Sequence, residues 1–269
     1  MRQLFATDLD GTILAKNTPF NPKDAEVLRE LGEQNVVRVA ATGRTLQSAI
    51  SVLPTDFPID YLVFSSGAGI YCWREQTLLQ TKHLGFEKTN ELVKVFNRFQ
   101  VEYTLHHPIP ENHLFFHPVG DDPHPDFERY VEFNHADAEV MNNLVPELDY
   151  TQTLAFMPNI EVFQQIEKQI HGVKVVRATS PIDGQSIWME CFHPEVSKAN
   201  GIVEVCKLER VDEVSVTVVG NDYNDLDMLR RFSKAFVVDN SPEELKKQFA
   251  VLSDVYNAPL ADWQKRFTS

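Results

Sequence analysis

The chain has 269 residues, 43% of them hydrophobic, with 39 acidic against 25 basic side chains and a formal charge of -14. That length points to one large domain or two modest ones, and the apolar share rules out wholesale disorder. A chain this acidic lacks the clustered Lys and Arg that hold a phosphate backbone or an anionic bilayer, which excludes nucleic acid and membrane surfaces as main partners.

Residues 3–7 form a short apolar run that stops at a polar loop, as a buried parallel strand does. Asn21-Pro22 reads as an N-cap followed by proline at the first helical position, and Ala25, Leu28 and Leu31 recur at helical spacing. A second strand is expected over 36–41, a second helix over 46–53 and a third strand over 61–65. This alternation predicts a doubly wound, Rossmann-like α/β sheet. The same rhythm returns late, with a helix over 199–208, a strand over 214–219, a helix over 223–232 and a strand over 235–238. Ser241-Pro242 then reads as the cap of a last helix.

The middle differs. Longer helical patterns such as Leu92, Val93, Phe96 and Phe99 mix with stretches punctuated by Pro108, Pro110, Pro118, Pro123 and Pro125. Residues 83–190 therefore read as an α+β domain inserted into a sheet domain made of 1–82 and 191–269. The three cysteines, Cys72, Cys191 and Cys206, are odd in number, widely spaced and without a CxxC pair. No disulfide framework or structural zinc site is expected, and a reducing compartment fits. No apolar stretch is long enough for a signal peptide or a membrane span, so the expected location is the cytoplasm.

Four stretches carry chemistry, each at a strand end or a helix start. Asp8-Leu9-Asp10-Gly11-Thr12 follows the first strand, where ligands gather in an open α/β sheet. Residues two apart in extended chain point the same way, so Asp8 and Asp10 can converge. Carboxylates that close repel unless one is protonated or a hard cation such as Mg²⁺ sits between them. Read alone, the stretch has a second, weaker reading as a surface turn with two solvated aspartates. Ala41-Thr42-Gly43-Arg44 brings a hydroxyl, a free N–H and a guanidinium to the same sheet edge. Lys198 sits in the first turn of the helix opened by Val196-Ser197, against the helix dipole, so it reads either as an anion ligand or, equally, as an exposed lysine. Gly220-Asn221-Asp222-Tyr223-Asn224-Asp225 adds two carboxylates and two amides.

In this combination and order the stretches resemble the haloacid dehalogenase-type phosphohydrolase superfamily, and more narrowly its Cof-type members of subfamily IIB, which carry a large C2-type cap after the third strand. Ser66-Gly67-Ala68 is similar to the Asn-Gly-Ala turn many of them have. The resemblance implies a Mg²⁺-dependent phosphatase acting on a small phosphorylated metabolite, a sugar phosphate being the common theme. Asp8 is implied to be the nucleophile that forms an aspartyl-phosphate, and Asp10 the general acid and then the base. The resemblance also implies phosphate and substrate contacts at Leu9, Thr42, Gly43, Arg44, Lys198 and Asn224. It implies metal ligation by Asp8, Asp10, Asn221, Asp222 and Asp225. At ~4 Å, like unit charges repel by ~4 kcal/mol at an effective dielectric near 20, so a carboxylate nucleophile meeting a phosphate dianion needs Mg²⁺ and Lys198 as screens. The family more often has Gly-Asp where this chain has Gly220-Asn221, which leaves open whether Asn221 or Asp222 is the direct ligand.

Two other classes remain as alternatives: a phosphotransferase or phosphomutase on the same scaffold, and a non-catalytic metabolite-binding protein. A monomer or weak homo-oligomer is expected. His106, His107, His113, His117 and His124 read as solvated loop histidines rather than a transition-metal site. Trp73 and Trp188 read as core, and Asp121-Asp122 as surface.

Overall fold

The computed structural model describes residues 2–16, 18–120, 123–142, 144 and 148–268; Asp121 and Asp122 lie outside them. From the N-terminus come β1 (Leu4–Thr7), α1 (Pro22–Glu33), β2 (Val37–Ala41), α2 (Leu46–Val52), β3 (Tyr61–Phe64), β4 (Gly69–Cys72) and β5 (Thr77–Thr81). Next are α3 (Phe86–Phe99), β6 (Tyr103–His106), β7 (Phe115–His117), α4 (Pro125–Phe133), β8 (Ala138–Val140), β9 (Gln152–Met157), α5 (Ile160–Glu167), β10 (Lys174–Thr179) and β11 (Ile187–Phe192). The chain ends with α6 (Lys198–Glu209), β12 (Val216–Gly220), α7 (Leu226–Arg231), β13 (Lys234–Val238), α8 (Glu243–Lys246), β14 (Ala250–Leu252) and α9 (Pro259–Phe267).

Two compact units result, one of Met1–Arg44, Ala49–Gln80 and Ser197–Ser269, the other of Thr45–Ser48 and Thr81–Val196. The first holds an eight-stranded sheet in the order β14-β13-β12-β1-β2-β3-β4-β5. Its strands run parallel from β14 to β3, and β4 returns antiparallel on β3. Leu4, Ala6, Val37, Val39, Val216 and Val218 alternate onto one face and bury under Ile202, Val205 and Cys206 of α6. The second unit has a six-stranded sheet in the order β10-β11-β9-β6-β7-β8. Ala155 and Met157 of β9 face Phe96 and Ile166 on one side, while Leu154 and Phe156 face Phe127 on the other. This period of two is what sorts a strand's side chains between layers.

The boundary expected at 190/191 falls inside β11, which pairs with β10 and β9 along its whole length, so the unit continues to Val196. The expected helix over 223–232 opens instead as a tight 3₁₀ turn, Tyr223–Asp225, because Asp222 and Asp225 cap each other's backbone. The helix after Ser241-Pro242 is a single turn and is not the last one, and neither hydroxyl nor ring supplies a side-chain cap. The hairpin β4–β5, strand β14 and helix α9 are additions to the expected elements. Two of the clustered histidines are not solvated. His106 is buried between the Thr104 hydroxyl at 3.0 Å and the Asn112 carbonyl at 2.9 Å, and His117 is buried against the Pro118 carbonyl at 3.0 Å. Burial pushes His106 down to about 4, so it is a neutral part of the insert's structure. Trp73 and Trp188 are buried. Among the described residues no helix is long and apolar enough to cross a membrane. The three cysteines are free and buried.

Asn21 caps α1 through the Lys23 N–H at 3.1 Å, and the third helical residue ties distant segments together. Buried Asp24 accepts from the Leu260 and Ala261 amides at 2.9 and 3.2 Å, capping α9 from across the fold. Burial pushes its carboxyl from 3.8 up to about 6, with those two amides pulling the other way. A raised folded-state value means the folded protein binds this proton more tightly than the unfolded chain. The stability it adds is complete below about pH 4 and lost as pH rises through 6, up to about 3 kcal/mol. Asp24→Asn keeps the acceptor oxygen and carries no charge. Urea unfolding of parent and variant should therefore show the variant gaining on the parent between pH 4.5 and 7. A gap between them that does not change with pH would contradict this.

Candidate active site

From β1 the chain adds β2 and β3 on one side, while β12, β13 and β14 extend the other. The crevice where the order reverses, at the carboxyl ends of β1 and β12, is where open α/β sheets bind ligands. Asp8 extends the ladder by one step, its N–H donating to the Val219 carbonyl at 2.9 Å, and its residue is only 3% exposed. Lys198 Nζ donates to Asp8 Oδ1 at 2.7 Å, and the Thr12 hydroxyl donates to Oδ2 at 2.9 Å. Lys198, the first residue of α6, is itself fully buried and donates equally to Asp225 Oδ1 at 2.7 Å. The other Asp225 oxygen accepts from the Asn221 and Asp222 amides at 2.7 and 3.2 Å. A Cβ on Gly220 would fall 2.7 Å from that carboxylate, so only glycine lets Asp225 lie against the strand end.

A second group stands beside the first. Arg44 grips Asp10 with two parallel bonds of 2.7 Å, from Nε to Oδ2 and from Nη2 to Oδ1, the bidentate geometry of a guanidinium on a carboxylate. The Asp10 side chain is 43% exposed, in contrast to the buried Asp8. Thr42 Oγ1 accepts from the Arg44 N–H at 3.1 Å, and the Thr42 carbonyl accepts from Ser66 N–H at 2.9 Å. Ser65 and Ser66 both hold left-handed backbone, with φ of 47° and 55°, so the end of β3 stores strain at the sheet edge. A Cβ on Gly43 would meet Ser66 Oγ at 3.7 Å and Asn224 Nδ2 at 3.8 Å, which places those two polar groups beside Gly43.

Leu9 is different: its side chain is in the core and its carbonyl accepts from the amides of residues 12–14, so any ligand contact there runs through backbone. Asn221 lies over the first loop, because a Cβ on Gly11 would come within 2.3 Å of its amide nitrogen. Gly11 also needs its φ of +75°, which turns the chain sharply after Asp10. Asp222 takes part in the capping box of the 3₁₀ turn, with its Oδ1 buried at the same loop. Thr12 was not singled out by residue chemistry, although its place four residues after Asp8 in a turn was visible.

Burial pushes Asp8 up to about 7, against the pull of Lys198; the nearby Asp225 and Asp10 carboxylates push the same way. Burial works against the Lys198 charge, but Asp225 and Asp8 outweigh it and hold the ammonium well above its ordinary value. With Asp10 paired to Arg44, the set Asp8, Asp225 and Lys198 carries one surplus negative charge in a dry place whenever Asp8 is ionised. A hard cation would offset it. Among the described residues no three His, Cys, Asp or Glu side chains form a metal-holding group. Asp8, Asp10 and the amide of Asn221 are the groups at this edge that could supply oxygens to such a cation, both Asp10 oxygens being bonded to Arg44 here.

A family model described as haloacid dehalogenase-like hydrolase matches residues 5–258. The chain belongs to this family. As a haloacid dehalogenase-like hydrolase it is 23% identical over 247 residues to the 5-amino-6-(5-phospho-D-ribitylamino)uracil phosphatase YbjI of Escherichia coli, covering 89% of this chain and 86% of that protein. It is 26% identical over 253 residues to the chloroplastic endoribonuclease YBEY of Arabidopsis thaliana, covering 89% of this chain but only 42% of that longer protein. Among solved structures, the phosphatase BT1666 of Bacteroides thetaiotaomicron shares the fold with a TM-score of 0.80 at 18% identity, covering 100% of this chain and 96% of that one.

Proposed function

We propose that this hydrolase is a phosphatase that releases phosphate from a small phosphorylated metabolite, a sugar phosphate in class, through a phosphoryl-Asp8 intermediate. Asp8 carries the reading: a buried carboxylate at a strand end, oriented by Lys198 and Thr12 and standing beside the half-exposed Asp10. An Asp8 oxygen attacks phosphorus, the bond from phosphorus to the ester oxygen breaks, and Asp10, which enters this step protonated and not as the carboxylate paired with Arg44, gives its proton to the departing alkoxide. Water then attacks phosphorus and passes a proton to Asp10, and the Asp8–phosphorus bond breaks, which restores both carboxyls and frees phosphate. The Thr42 hydroxyl and the Gly43 N–H hold non-bridging oxygens, with Asn224 alongside. Arg44 aligns Asp10. Asp225 keeps Lys198 charged and aimed at Asp8, and its other oxygen orders the loop that presents Asn221.

Asp8, Asp10 and Asn221 are the residues assigned to Mg²⁺, which when bound screens the charge on the nucleophile and the phosphoryl group. The E. coli relative, whose substrate name contains a phospho-D-ribityl group, supports a polyhydroxylated phosphate ester. The second unit, Thr45–Ser48 with Thr81–Val196, is assigned the role of cap, the part that discriminates among metabolites. The free, buried cysteines support a reducing compartment.

Phosphate release across a few dozen phosphorylated metabolites, with Mg²⁺ and again with chelator, tests the reading. Hydrolysis of several sugar phosphates that chelation stops is the expected result. No turnover anywhere on the panel would sink it, and phosphoryl transfer to an added alcohol in place of water would make the protein a phosphotransferase. The metal loop has its own test. Asn221→Asp adds a third carboxylate and should lower the Mg²⁺ concentration for half-maximal activity by about tenfold, since ligand charge tunes hard-cation affinity. Asp222→Asn should move it little. The reverse pattern would make Asp222 the ligand.

A further inference from the structure

We infer that Asn240 is a positioning residue for the Asp10 end of the first loop, an inference that rests on the acid–base role proposed for Asp10. Asn240 follows β13, two strands away from β1 in the sheet. Its Nδ2 donates to the Gly11 carbonyl at 2.8 Å, and its Oδ1 accepts from the Val255 N–H at 3.0 Å. One partner is a carbonyl and the other an N–H, so the amide has a single orientation that satisfies both. An exposed asparagine with both amide ends committed to backbone on separate segments is a brace, whereas a surface asparagine ordinarily bonds to water.

What it braces is specific. Asp8 is held without it, by the β1–β12 ladder, Lys198 and Thr12. Gly11 is the residue after Asp10, and its carbonyl is the acceptor in the bond that reaches across to β13. The Asn221 amide also lies against Gly11, within 2.3 Å of where a Cβ would stand, and the Asn240 amide lies 3.8 Å from that point. The tether thus adds to the Arg44 pair and to the Gly11–Leu14 bond in fixing the turn that carries Asp10 and lies against the Asn221 amide. A carboxylate that must deliver a proton has to sit within hydrogen-bond reach of the leaving oxygen, so a loosened turn weakens proton delivery before it weakens nucleophilic attack.

The test compares esters that differ in their need for an acid. A sugar phosphate with a poor alkoxide leaving group needs the proton from Asp10, and nitrophenyl phosphate hardly does. Asn240→Ala removes both bonds. Asn240→Asp is nearly isosteric, keeps the acceptor for Val255 and sets a carboxylate oxygen against the Gly11 carbonyl, and so answers the question even if the alanine variant folds poorly. Both variants should lower kcat on the sugar phosphate by about tenfold or more, within the range that positioned acid catalysis supplies, while kcat on nitrophenyl phosphate stays within about threefold. An equal fall on both esters marks a general loosening of the fold and overturns the inference, as does no fall on either. Asp10→Asn is the reference. If it shows no preference between the esters, the acid role of Asp10 is wrong and this inference goes with it. If it does and the Asn240 variants do not, only the inference about Asn240 fails.

Discussion

Asp8→Asn is expected to leave a folded protein with no measurable turnover, a fall of at least about 10³-fold in kcat, because removing a nucleophile that acts as a unit with its acid costs the whole covalent route. The structure gives the reason the fold should survive. An asparagine oxygen can still accept from Lys198, and the new amide group can donate to the Thr12 hydroxyl, so both bonds of Asp8 keep a partner. The variant also removes the surplus negative charge that burial opposes, which is the same force that lifts the Asp8 carboxyl to about 7. Stability by urea unfolding should therefore stay within about 1 kcal/mol of the parent or rise. Phosphate release at a rate comparable to the parent would remove Asp8 from the mechanism. A large loss of stability would instead mean that the carboxylate, and not the acceptor oxygen, holds this part of the fold.

The largest structural effect should come from Lys198→Met. The side chain is of similar length and is easily buried, so packing is nearly preserved, yet Asp8 and Asp225 lose the one cation between them. Removing one partner of a buried ionic group costs about 3–5 kcal/mol, since the charges left behind are neither solvated nor paired. Activity should fall with stability, because the nucleophile loses its orienting donor. The two effects separate in a second variant, Lys198→Met with Asp225→Asn. It lacks one stranded carboxylate and should recover part of the lost stability while remaining inactive. A Lys198→Met protein as stable as the parent would show that water or a bound ion already balances these carboxylates. A double variant no more stable than the single one would show that the loss came from packing.

Much of this molecule was legible in local chemistry. The parallel strands announced themselves as short apolar runs ending in polar loops, and the cap of α1 as Asn21-Pro22, because both signals are written within a few neighbouring residues. The carboxylates proposed for catalysis were visible as candidates for the same reason: a strand end followed by Asp-Leu-Asp-Gly-Thr places its chemistry by period and turn. Helix α9 was missed, although Pro259 stands at its start and Leu260 and Trp263 are three apart, because so short an amphipathic segment has little length over which to display its period.

Other features belong to the tertiary structure. That Lys198 is buried between two carboxylates, and not a solvated lysine on the first turn of a helix, depends on Asp8 and Asp225 arriving from 190 and 27 residues away. That Arg44 closes on Asp10, that Asp24 caps a helix 236 residues later, and that Asn240 reaches Gly11 across 229 residues are likewise pairings between distant segments. The unit boundary after Val196 was set by β11 pairing on both sides, and His106 was made neutral by burial in a sheet whose strands come from separate stretches of chain. Residue type and spacing determine which groups can do chemistry and which element carries them. Which of those groups meet, and with what charge, follows from desolvation and from partners that only the folded sheet brings within 3 Å.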